Sequence, residues 1–545
     1  MKKTGLFFLI VLSAAGLRAQ DNPFPAFPPD DVTCETDCEQ MKWQLGLTFA
    51  PRPEKNIFYR EFLSPKFRSM GTNLVLGPLN PKQPNGNWTW LEGESTTGPL
   101  AAGRPMIVAS PANFWTNYVQ SWEPGGGYLT GADFYGPLEL HDLRGLTAEN
   151  WPERRQRIFE EVQRELYGFI PEAANRLKIE WSAGADSTGT AEGVAFREYR
   201  LSGTIDVSGY PSVRHAPVVS AVVRMPSGRA AEGRIPLIIG FGESIDEELW
   251  GQLSPLGIAV AAFSPHRLQP DNGAFLTSYL IGLVNRGNWR KPDDWGTLVA
   301  WSWGVGRLID YFETHDTGID PARIGLTGHS RYGKAALVAM AYEPRLAIAF
   351  PNSSGALGVA PSRRHWGQDL EHATGRLEYH WLAGNFLKYM GVHPSSADGY
   401  MPRKVLDLKV DAESLLALCA PRPVFVGNGS EPAGDAWADP YGQYLACVAA
   451  GPVYELLGGK GIRMCDSLEY RGAKIPYPKT DKAYLAGDIG YRRHRGGHTH
   501  APNYSVFALF VAKYLLKEAG EKEARTPEQK ESGESGPHTL PRTTH

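Results

Sequence analysis

The residues with the clearest potential for chemistry lie at 328–334, where the order is Gly-His-Ser-Arg-Tyr-Gly-Lys. An apolar run at 324–326 precedes them, and a helix-forming run at 334–340 follows. A serine between a strand and a helix, flanked by glycines, is typical of a nucleophile elbow, because the strained turn leaves little room for neighbouring side chains. The spacing Gly-x-Ser-x-x-Gly is one residue longer than the usual pattern. Ser330 is therefore a candidate nucleophile that needs a base and an acid elsewhere in the chain.

The candidate base lies near the C-terminal end. In α/β-hydrolases the catalytic groups follow the order serine, acid, histidine along the chain, and we expect the histidine in a loop before a final helix. His498 follows two glycines and precedes an apolar amphipathic run at 506–516. His498 is our prediction. His494 and His500 are alternatives, and each could instead be a solvated loop histidine.

The candidate acid should follow one of the strands after Ser330. The strand predicted at 347–350 is followed by Asn-Ser-Ser-Gly at 352–355, which offers no carboxylate. The next predicted strand, at 423–427, is followed by Glu431, Asp435 and Asp439. An aspartate directly before proline, as at Asp439, is often a turn or helix-cap residue. We therefore predict Asp435, with Glu431 and Asp439 as alternatives.

The elements that must position these groups indicate an α/β fold. From Trp151 onwards, strand-like runs alternate with amphipathic helical runs, which predicts a mostly parallel sheet covered by helices on both faces. We assign 136–516 to an α/β-hydrolase catalytic domain. Residues 20–135 are expected to form an irregular or partly β extension that wraps onto this body, with a small sugar-binding module as a further possibility. The polar residues 517–545 are expected to be a disordered tail.

The N-terminal residues resemble a secretory signal peptide rather than part of the fold. Two lysines precede an apolar run at 6–15, and Leu-Arg-Ala at 17–19 offers a cleavage site. We expect residues 1–19 to be removed and the product to be secreted or periplasmic, because no later run approaches the roughly 18 apolar residues of a membrane span. Cys34 and Cys38 could form a local disulfide, and Cys419, Cys447 and Cys465 could supply at most one more pair.

The composition excludes several other functions. Lys and Arg total 56 against 59 acidic residues, so the charge gives no indication of a nucleic-acid surface. The chain has neither a Cys-x-x-Cys pair nor a His-Glu-x-x-His motif, which disfavours a zinc site. We expect no metal, no cofactor, no nucleic-acid partner and no membrane partner. The expected product is a monomer that binds a carbohydrate substrate.

Five ordered segments of the chain resemble the glucuronoyl esterases, carbohydrate esterase family 15, in the bacterial branch. The resemblance runs from about Trp151 to Leu516 and leaves the N-terminal hundred or so residues outside it. Its segments are the Gly-x-Ser-Arg-x-Gly-Lys run at 328–334, the Arg-Arg helix ending in Leu-Tyr-Gly168, the run 352–355 with Arg363-Arg364, the run 435–440, and Gly496-Gly497-His498.

This resemblance implies cleavage of esters of 4-O-methyl-D-glucuronate, as in the linkage between glucuronoxylan and lignin. It implies that Ser330 is the nucleophile and that His498 is the general base and acid. It further implies that Arg331 helps to form the oxyanion hole, through its backbone N–H and its guanidinium. Lys334 and Trp437 would contact the sugar.

The chain departs from the family pattern at two positions. Many members carry a triad glutamate at the position of Ser353, so here the acid must be Asp435. Many also carry Gly-Glu where this chain has Gly367-Gln368, and Gln368 can hydrogen-bond sugar hydroxyls but lacks the charge. Two other functions therefore stay open: an acetyl or feruloyl esterase on the same scaffold, and a catalytically weak polysaccharide-binding relative.

Overall fold

The computed structural model describes the catalytic body and parts of the N-terminal region. The described residues are 22–45, 76–79, 88–90, 146–227, 233–364, 378–389, 408–430, 433–435, 438–462 and 478–516. The predicted signal peptide, the predicted tail and most of the predicted extension lie outside them. So do five residues named above: Gly367, Gln368, Glu431, Trp437 and Cys465.

The strands form one large mixed sheet and a separate antiparallel pair of β1 and β2. The runs predicted at 324–326, 347–350 and 423–427 overlap three of them. The strands are β1 Leu76–Leu79, β2 Trp88–Trp90, β3 Ile179–Ala183, β4 Ser187–Ala191, β5 Val194–Ile205, β6 Val218–Pro226, β7 Ile235–Phe241, β8 Ala259–Phe263, β9 Ile319–His329, β10 Ile348–Asn352, β11 Val424–Asn428, β12 Ala483–Tyr484 and β13 Ile489–Arg493.

The large sheet has the order β12-β13-β11-β10-β9-β7-β8-β6-β5-β3, with β4 paired to β5. The neighbouring pairs from β8 through β7, β9, β10 and β11 to β13 are all parallel. The strands at the two ends of the sheet pair antiparallel. The predicted α/β class with a mostly parallel sheet is therefore confirmed. Because parallel strands end at the same edge, the loops after β9, β10, β11 and β13 lie along one edge of the sheet.

Helices cover both faces of this sheet. One face packs against α6 (Thr297–Thr314), α7 (Arg331–Tyr342) and α8 (Ala412–Cys419), which contribute Leu308, Leu337 and Leu416 to the core. The other face packs against α4 (Glu247–Leu253) and α10 (Tyr504–Leu515), which contribute Trp250 and Phe507. The helices are α1 Cys34–Gln44, α2 Trp151–Val162, α3 Glu172–Asn175, α4 Glu247–Leu253, α5 Tyr279–Asn285, α6 Thr297–Thr314, α7 Arg331–Tyr342, α8 Ala412–Cys419, α9 Pro440–Leu456 and α10 Tyr504–Leu515.

Helix α1 corrects the expectation of irregular or β structure for its part of the N-terminal region. The Thr33 side chain caps it by accepting a hydrogen bond from the Thr36 N–H. Cys34, Cys38 and Met41 lie at helical spacing and are buried in the main core. The suggested disulfide between the two cysteines is also wrong, because both side chains are thiols. This part of the N-terminal region therefore packs on the catalytic body as a helix.

Within the described residues, none of the helices combines the length and apolar character needed to cross a bilayer.

Candidate active site

Ser330 occupies the sharp turn between β9 and α7. Its backbone has φ 59° and ψ −122°, a conformation that non-glycine residues rarely adopt. Its N–H donates to the Asn352 carbonyl oxygen at 2.9 Å, which ties the turn to the end of the neighbouring strand β10. Backbone strain of this kind costs about 1–3 kcal/mol and is concentrated at functional sites. The local geometry is that of a nucleophile elbow.

The two glycines of the motif are required by close backbone contacts. A Cβ at Gly328 would lie 2.1 Å from the Tyr332 carbonyl oxygen, and a Cβ at Gly333 would lie 2.6 Å from the Asn352 carbonyl oxygen. Both distances are shorter than any van der Waals contact allows. The second glycine is displaced to position 333 because α7 approaches β10 at that residue, and this explains the longer spacing of the motif.

Asp435 and His498 lie in contact. His498 Nδ1 is 2.8 Å from Asp435 Oδ1. Asp435 is completely buried, whereas the His498 side chain is partly exposed. The second carboxylate oxygen accepts hydrogen bonds from Ser353 Oγ at 2.8 Å and from the Gly429 N–H at 2.6 Å. The serine at the position of the family glutamate therefore donates a hydrogen bond to the aspartate that we predict as the acid.

The loops that carry Asp435 and His498 are joined backbone to backbone. The Ser430 N–H donates to the Gly496 carbonyl oxygen at 2.7 Å, and Ser430 Oγ donates to the Arg495 carbonyl oxygen at 3.0 Å. A Cβ at Gly429 would lie 2.0 Å from the carbonyl oxygen of Gly497. The position of the histidine relative to the aspartate is thus set by direct contact between the two loops.

His329 connects the elbow with the histidine loop. Its ring centroid lies 4.2 Å from that of His498, and its Nδ1 accepts a hydrogen bond from Asn352 Nδ2 at 2.9 Å. Burial, together with the neighbouring His498, lowers the pKa of His329 to about 3. His329 is therefore neutral at physiological pH and does not add a second cation next to His498.

The alternative bases and acid have other partners. His494 accepts the Gly496 N–H at Nδ1, 2.9 Å away, and its Nε2 donates to the Thr499 carbonyl oxygen at 3.0 Å. His500 Nε2 lies 3.3 Å from Asp246 Oδ2. Asp439 caps α9 by accepting the Gly442 N–H at 2.9 Å. These contacts support structural roles for the alternatives.

Arg331 is the first residue of α7. Its backbone N–H belongs to the first turn, where N–H groups have no partner within the helix. Its side chain is half exposed, forms an ion pair with Asp271, and has its Cζ 5.5 Å from the centroid of the Trp381 ring. A cation and a backbone N–H are both therefore present immediately after Ser330.

Lys334 lies one turn further along α7 and is buried. Its Nζ donates to the carbonyl oxygens of Ser354 and of Ala356, the latter at 2.8 Å. It also lies 5.9 Å from the centroid of the Trp381 ring. Burial lowers the pKa of Lys334 to about 7. The predicted contact with the sugar stays a prediction.

Sequence reasoning missed the residues that surround Arg331 and Lys334. Asp271, His380 and Trp381 form one hydrogen-bonded group next to Arg331, and the charge of Glu378 acts on both cations. These residues have no motif spacing, since Asp271 is separated from His380 by 109 positions. Only the fold brings them together.

Among the described residues, no group of three or more His, Cys, Asp or Glu side chains could hold a metal ion. The positively charged side chains that we assign to this site are Arg331 and Lys334. The sequence predicts no cofactor.

Comparison with known proteins identifies relatives over most of the chain. The family model for "Glucuronyl esterase, fungi" matches residues 214–458. A 4-O-methyl-glucuronoyl methylesterase from Podospora anserina is 27% identical over 537 residues, which cover 94% of this chain and 92% of the relative. A carbohydrate esterase from an unknown prokaryotic organism is 28% identical over 458 residues, covering 75% of this chain and 94% of the relative.

Solved structures agree with these relatives. A glucuronoyl esterase of carbohydrate esterase family 15 from Teredinibacter turnerae matches with a TM-score of 0.64 and 28% identity, covering 88% of this chain and 99% of that structure. A glucuronoyl esterase from Solibacter usitatus, 24% identical with a TM-score of 0.56, covers 69% of this chain and 97% of its own and shares the fold. The motifs, the sheet and the relatives together place this chain in the glucuronoyl esterase family, carbohydrate esterase family 15.

Proposed function

We propose that this chain is a serine esterase that hydrolyses esters of 4-O-methyl-D-glucuronate, such as those between glucuronoxylan and lignin. The observation that carries the proposal is the contact between the buried Asp435 and His498, beside the elbow of Ser330. Family membership supplies the substrate class, because the Podospora anserina relative is named a 4-O-methyl-glucuronoyl methylesterase. The enzyme is thus a carboxylic ester hydrolase.

The proposed reaction begins with attack of Ser330 Oγ on the ester carbonyl carbon. A serine hydroxyl is a weak nucleophile until a base accepts its proton, and His498 is assigned that task through Nε2. Asp435 accepts the Nδ1–H of His498, which fixes the tautomer and stabilises the imidazolium that forms. His498 then returns the proton to the leaving alcohol, and the glucuronoyl group stays on Ser330 until water hydrolyses the acyl-enzyme.

Arg331 is assigned to the negative charge that develops on the carbonyl oxygen. Its backbone N–H lies at the N-terminus of α7, where the helix dipole favours an anion. Its guanidinium adds a full charge close to the nucleophile. Loss of one oxyanion donor in a serine hydrolase typically costs about 2.7–4 kcal/mol in the barrier. Lys334, Gln368 and Trp437 keep their predicted role in binding the sugar.

A panel of esters tests the proposal. Wild-type protein should hydrolyse methyl and benzyl glucuronate without added metal. Ser330→Ala should lower kcat by about 10⁴-fold or more, because the nucleophile is removed. Galacturonate esters and acetylated xylan complete the panel. Activity on acetylated xylan without activity on glucuronate esters would contradict the proposed substrate and favour the acetyl esterase alternative.

Export is a separate part of the proposal. We infer that residues 1–19 are a cleavable signal peptide and that the mature enzyme is a secreted or periplasmic monomer. The intact mass of the exported protein should correspond to a chain that begins at Gln20, and gel filtration should give the mass of one chain. A mature protein that keeps residues 1–19 would contradict cleavage at this site.

A further inference from the structure

The guanidinium of Arg331 is held in place by groups outside its own helix. The side chain is 50% exposed, so in solution it would sample many rotamers unless it were restrained. Its Nη1 donates to Asp271 Oδ2, and its Cζ lies 5.5 Å from the Trp381 ring centroid. A charged partner on one side and an aromatic ring on the other restrict the guanidinium to one position.

The carboxylate of Asp271 is itself fixed. Its Oδ1 accepts hydrogen bonds from His380 Nε2 at 2.7 Å and from Trp381 Nε1 at 2.6 Å. The Asp271 side chain is 7% exposed, and those of His380 and Trp381 are buried. Burial alone would raise the pKa of Asp271, but the hydrogen bond and charge of His380 and the charge of Arg331 hold it well below its usual range. Asp271 is therefore ionised wherever the esterase would work.

The backbone of Asp271 is connected to α7 by a second route. The Asp271 N–H donates to His266 Nδ1 at 3.3 Å. His266 then carries its proton on Nε2, which lies 2.8 Å from the hydroxyl oxygen of Tyr332. Tyr332 follows Arg331 directly in the chain. The carboxylate and the backbone of Asp271 are thus both joined to the first turn of the helix that begins after the nucleophile.

We propose that Asp271 is a positioning residue that orients the Arg331 guanidinium toward the oxyanion formed at Ser330. The inference rests on the proposed function, in which Arg331 stabilises that oxyanion. An ion-pair partner reduces the net positive charge at the site. It engages one nitrogen of the guanidinium, however, and a guanidinium has further N–H donors that can face the oxyanion. Oriented donors stabilise a transition state better than mobile ones, because no reorganisation is required during the reaction.

A double-mutant cycle tests whether Asp271 acts through Arg331. Asp271→Asn should lower kcat by about tenfold or more with little change in KM, since the effect concerns the transition state. In an Arg331→Ala background the same substitution should change kcat by less than about twofold, because the guanidinium that Asp271 orients is gone. Asp271→Glu, which keeps the charge, should lose less activity than Asp271→Asn. Melting temperatures of all variants report on folding.

A matched control comes from a second aspartate that pairs with an arginine. Asp320 Oδ2 lies 2.5 Å from Arg323 Nε at the start of β9, and Asp320→Asn should leave kcat unchanged. If Asp271→Asn does not fold, Trp381→Phe takes its place in the cycle, because it removes the N–H donor to Oδ1 but keeps an aromatic ring. Equal losses of kcat in both backgrounds, or no loss in either, would overturn the proposal.

The choice of substrate separates this inference from the proposed function. The cycle is measured on benzyl glucuronate and on p-nitrophenyl acetate, a general esterase substrate. Wild-type activity on the acetate alone would refute the proposed substrate while leaving the cycle measurable. Coupling between Asp271 and Arg331 on either substrate would support the positioning role, and additive losses would refute it.

Discussion

Ser330 lies on a turn whose sequence neighbours are also its neighbours in space, whereas Asp435 and His498 lie 63 positions apart on two separate loops. The elbow is held by β9, by α7 and by hydrogen bonds to Asn352 of β10. The acid and the histidine are held by contacts between loops, through Ser430 and the glycines that allow close approach. Each part of the site therefore depends on a different kind of contact.

The difference predicts how each part fails. The elbow is supported by strands and a helix of the core, so a change there should act by removing a chemical group or by a steric clash. The loop pair depends on a few hydrogen bonds to a buried carboxylate, so it should be sensitive to charge and to loop displacement. The following predictions test this contrast, from the largest expected effect to the smallest.

Asp435→Asn should have the largest effect in the loop pair. Asparagine has a single acceptor oxygen, and when that oxygen accepts the Gly429 N–H the NH2 group of the amide faces His498 Nδ1. The ring then adopts the wrong tautomer, and kcat on benzyl glucuronate should fall by about 10³–10⁴-fold. Asp439→Asn is the matched control, because asparagine also caps helices and tolerates the left-handed backbone of this residue (φ 49°). Its kcat should stay close to that of the wild type.

Equal losses in the two variants would mean that Asp435 is not the acid. A large loss only in Asp439→Asn would assign the acid to that residue. Both results would be informative, because Asp435 and Asp439 follow the same strand, and Asp435 lies 2.8 Å from His498 whereas Asp439 caps α9.

Gly429→Ala should have the next largest effect. A methyl group there would lie 2.0 Å from the Gly497 carbonyl oxygen, so the His498 loop must move away from Asp435. A displacement of about 1 Å at a catalytic group can lower the rate by about 10²-fold. We expect kcat to fall by that order while KM changes little. Gly209→Ala, where the added methyl group meets nothing within 4 Å, is the control.

A steady-state measurement and a crystal structure of Gly429→Ala would check this prediction together. Wild-type kcat with an undisplaced His498 loop would show that the loop contact does not set the geometry, and the contrast with the elbow would then be lost.

The sequence predicts the elbow well and the loop pair less well for a physical reason. Gly328 and Gly333 have no room for a side chain, because the backbone of Tyr332 or of Asn352 in the next strand lies too close. The motif can therefore be recognised from a short stretch of sequence. His498 could be predicted from its place before α10. Asp435 was one of three acids after the same strand, and its role stays a prediction that the 2.8 Å contact supports.

Other parts of the molecule could not be predicted from local sequence. Asp271 lies in the run Pro-Asp-Asn-Gly at 270–273, which has the composition of an ordinary turn. Its partners at 380 and 381 are more than 100 positions away, so their meeting depends on the whole fold. Helix α1 was missed because its buried side chains, at 34, 38 and 41, are few and its stabilisation comes mainly from packing on the catalytic body.

His329 and His494 extend the contrast between elbow and loop to the pH dependence of stability. Burial lowers the pKa of His329 to about 3 from an ordinary value of 6.5, and it also lowers the pKa of His494. Between pH 3 and pH 6.5 the unfolded chain therefore binds a proton at His329 that the folded chain does not bind. The free energy of unfolding keeps its full value, as far as His329 contributes to it, above about pH 6.5 and decreases progressively as the pH falls toward 3.

His329→Gln should make this decline shallower, because glutamine does not titrate, although its amide oxygen can still accept the hydrogen bond from Asn352. Urea unfolding at pH 7, 5.5 and 4.5 gives the free energy of unfolding at each pH, and hence its slope against pH. A general loss of stability would lower all three values and leave that slope unchanged. His494→Gln, in the loop, should flatten the slope less, since its lowered pKa is opposed by the hydrogen bond to Thr499 and the charge of Asp435. Parallel curves for wild type and His329→Gln would mean that His329 titrates alike in both states. Burial would then not protect the His329 ring from protonation. The contact of a neutral His329 ring with His498 would no longer explain how the elbow and the histidine loop are joined.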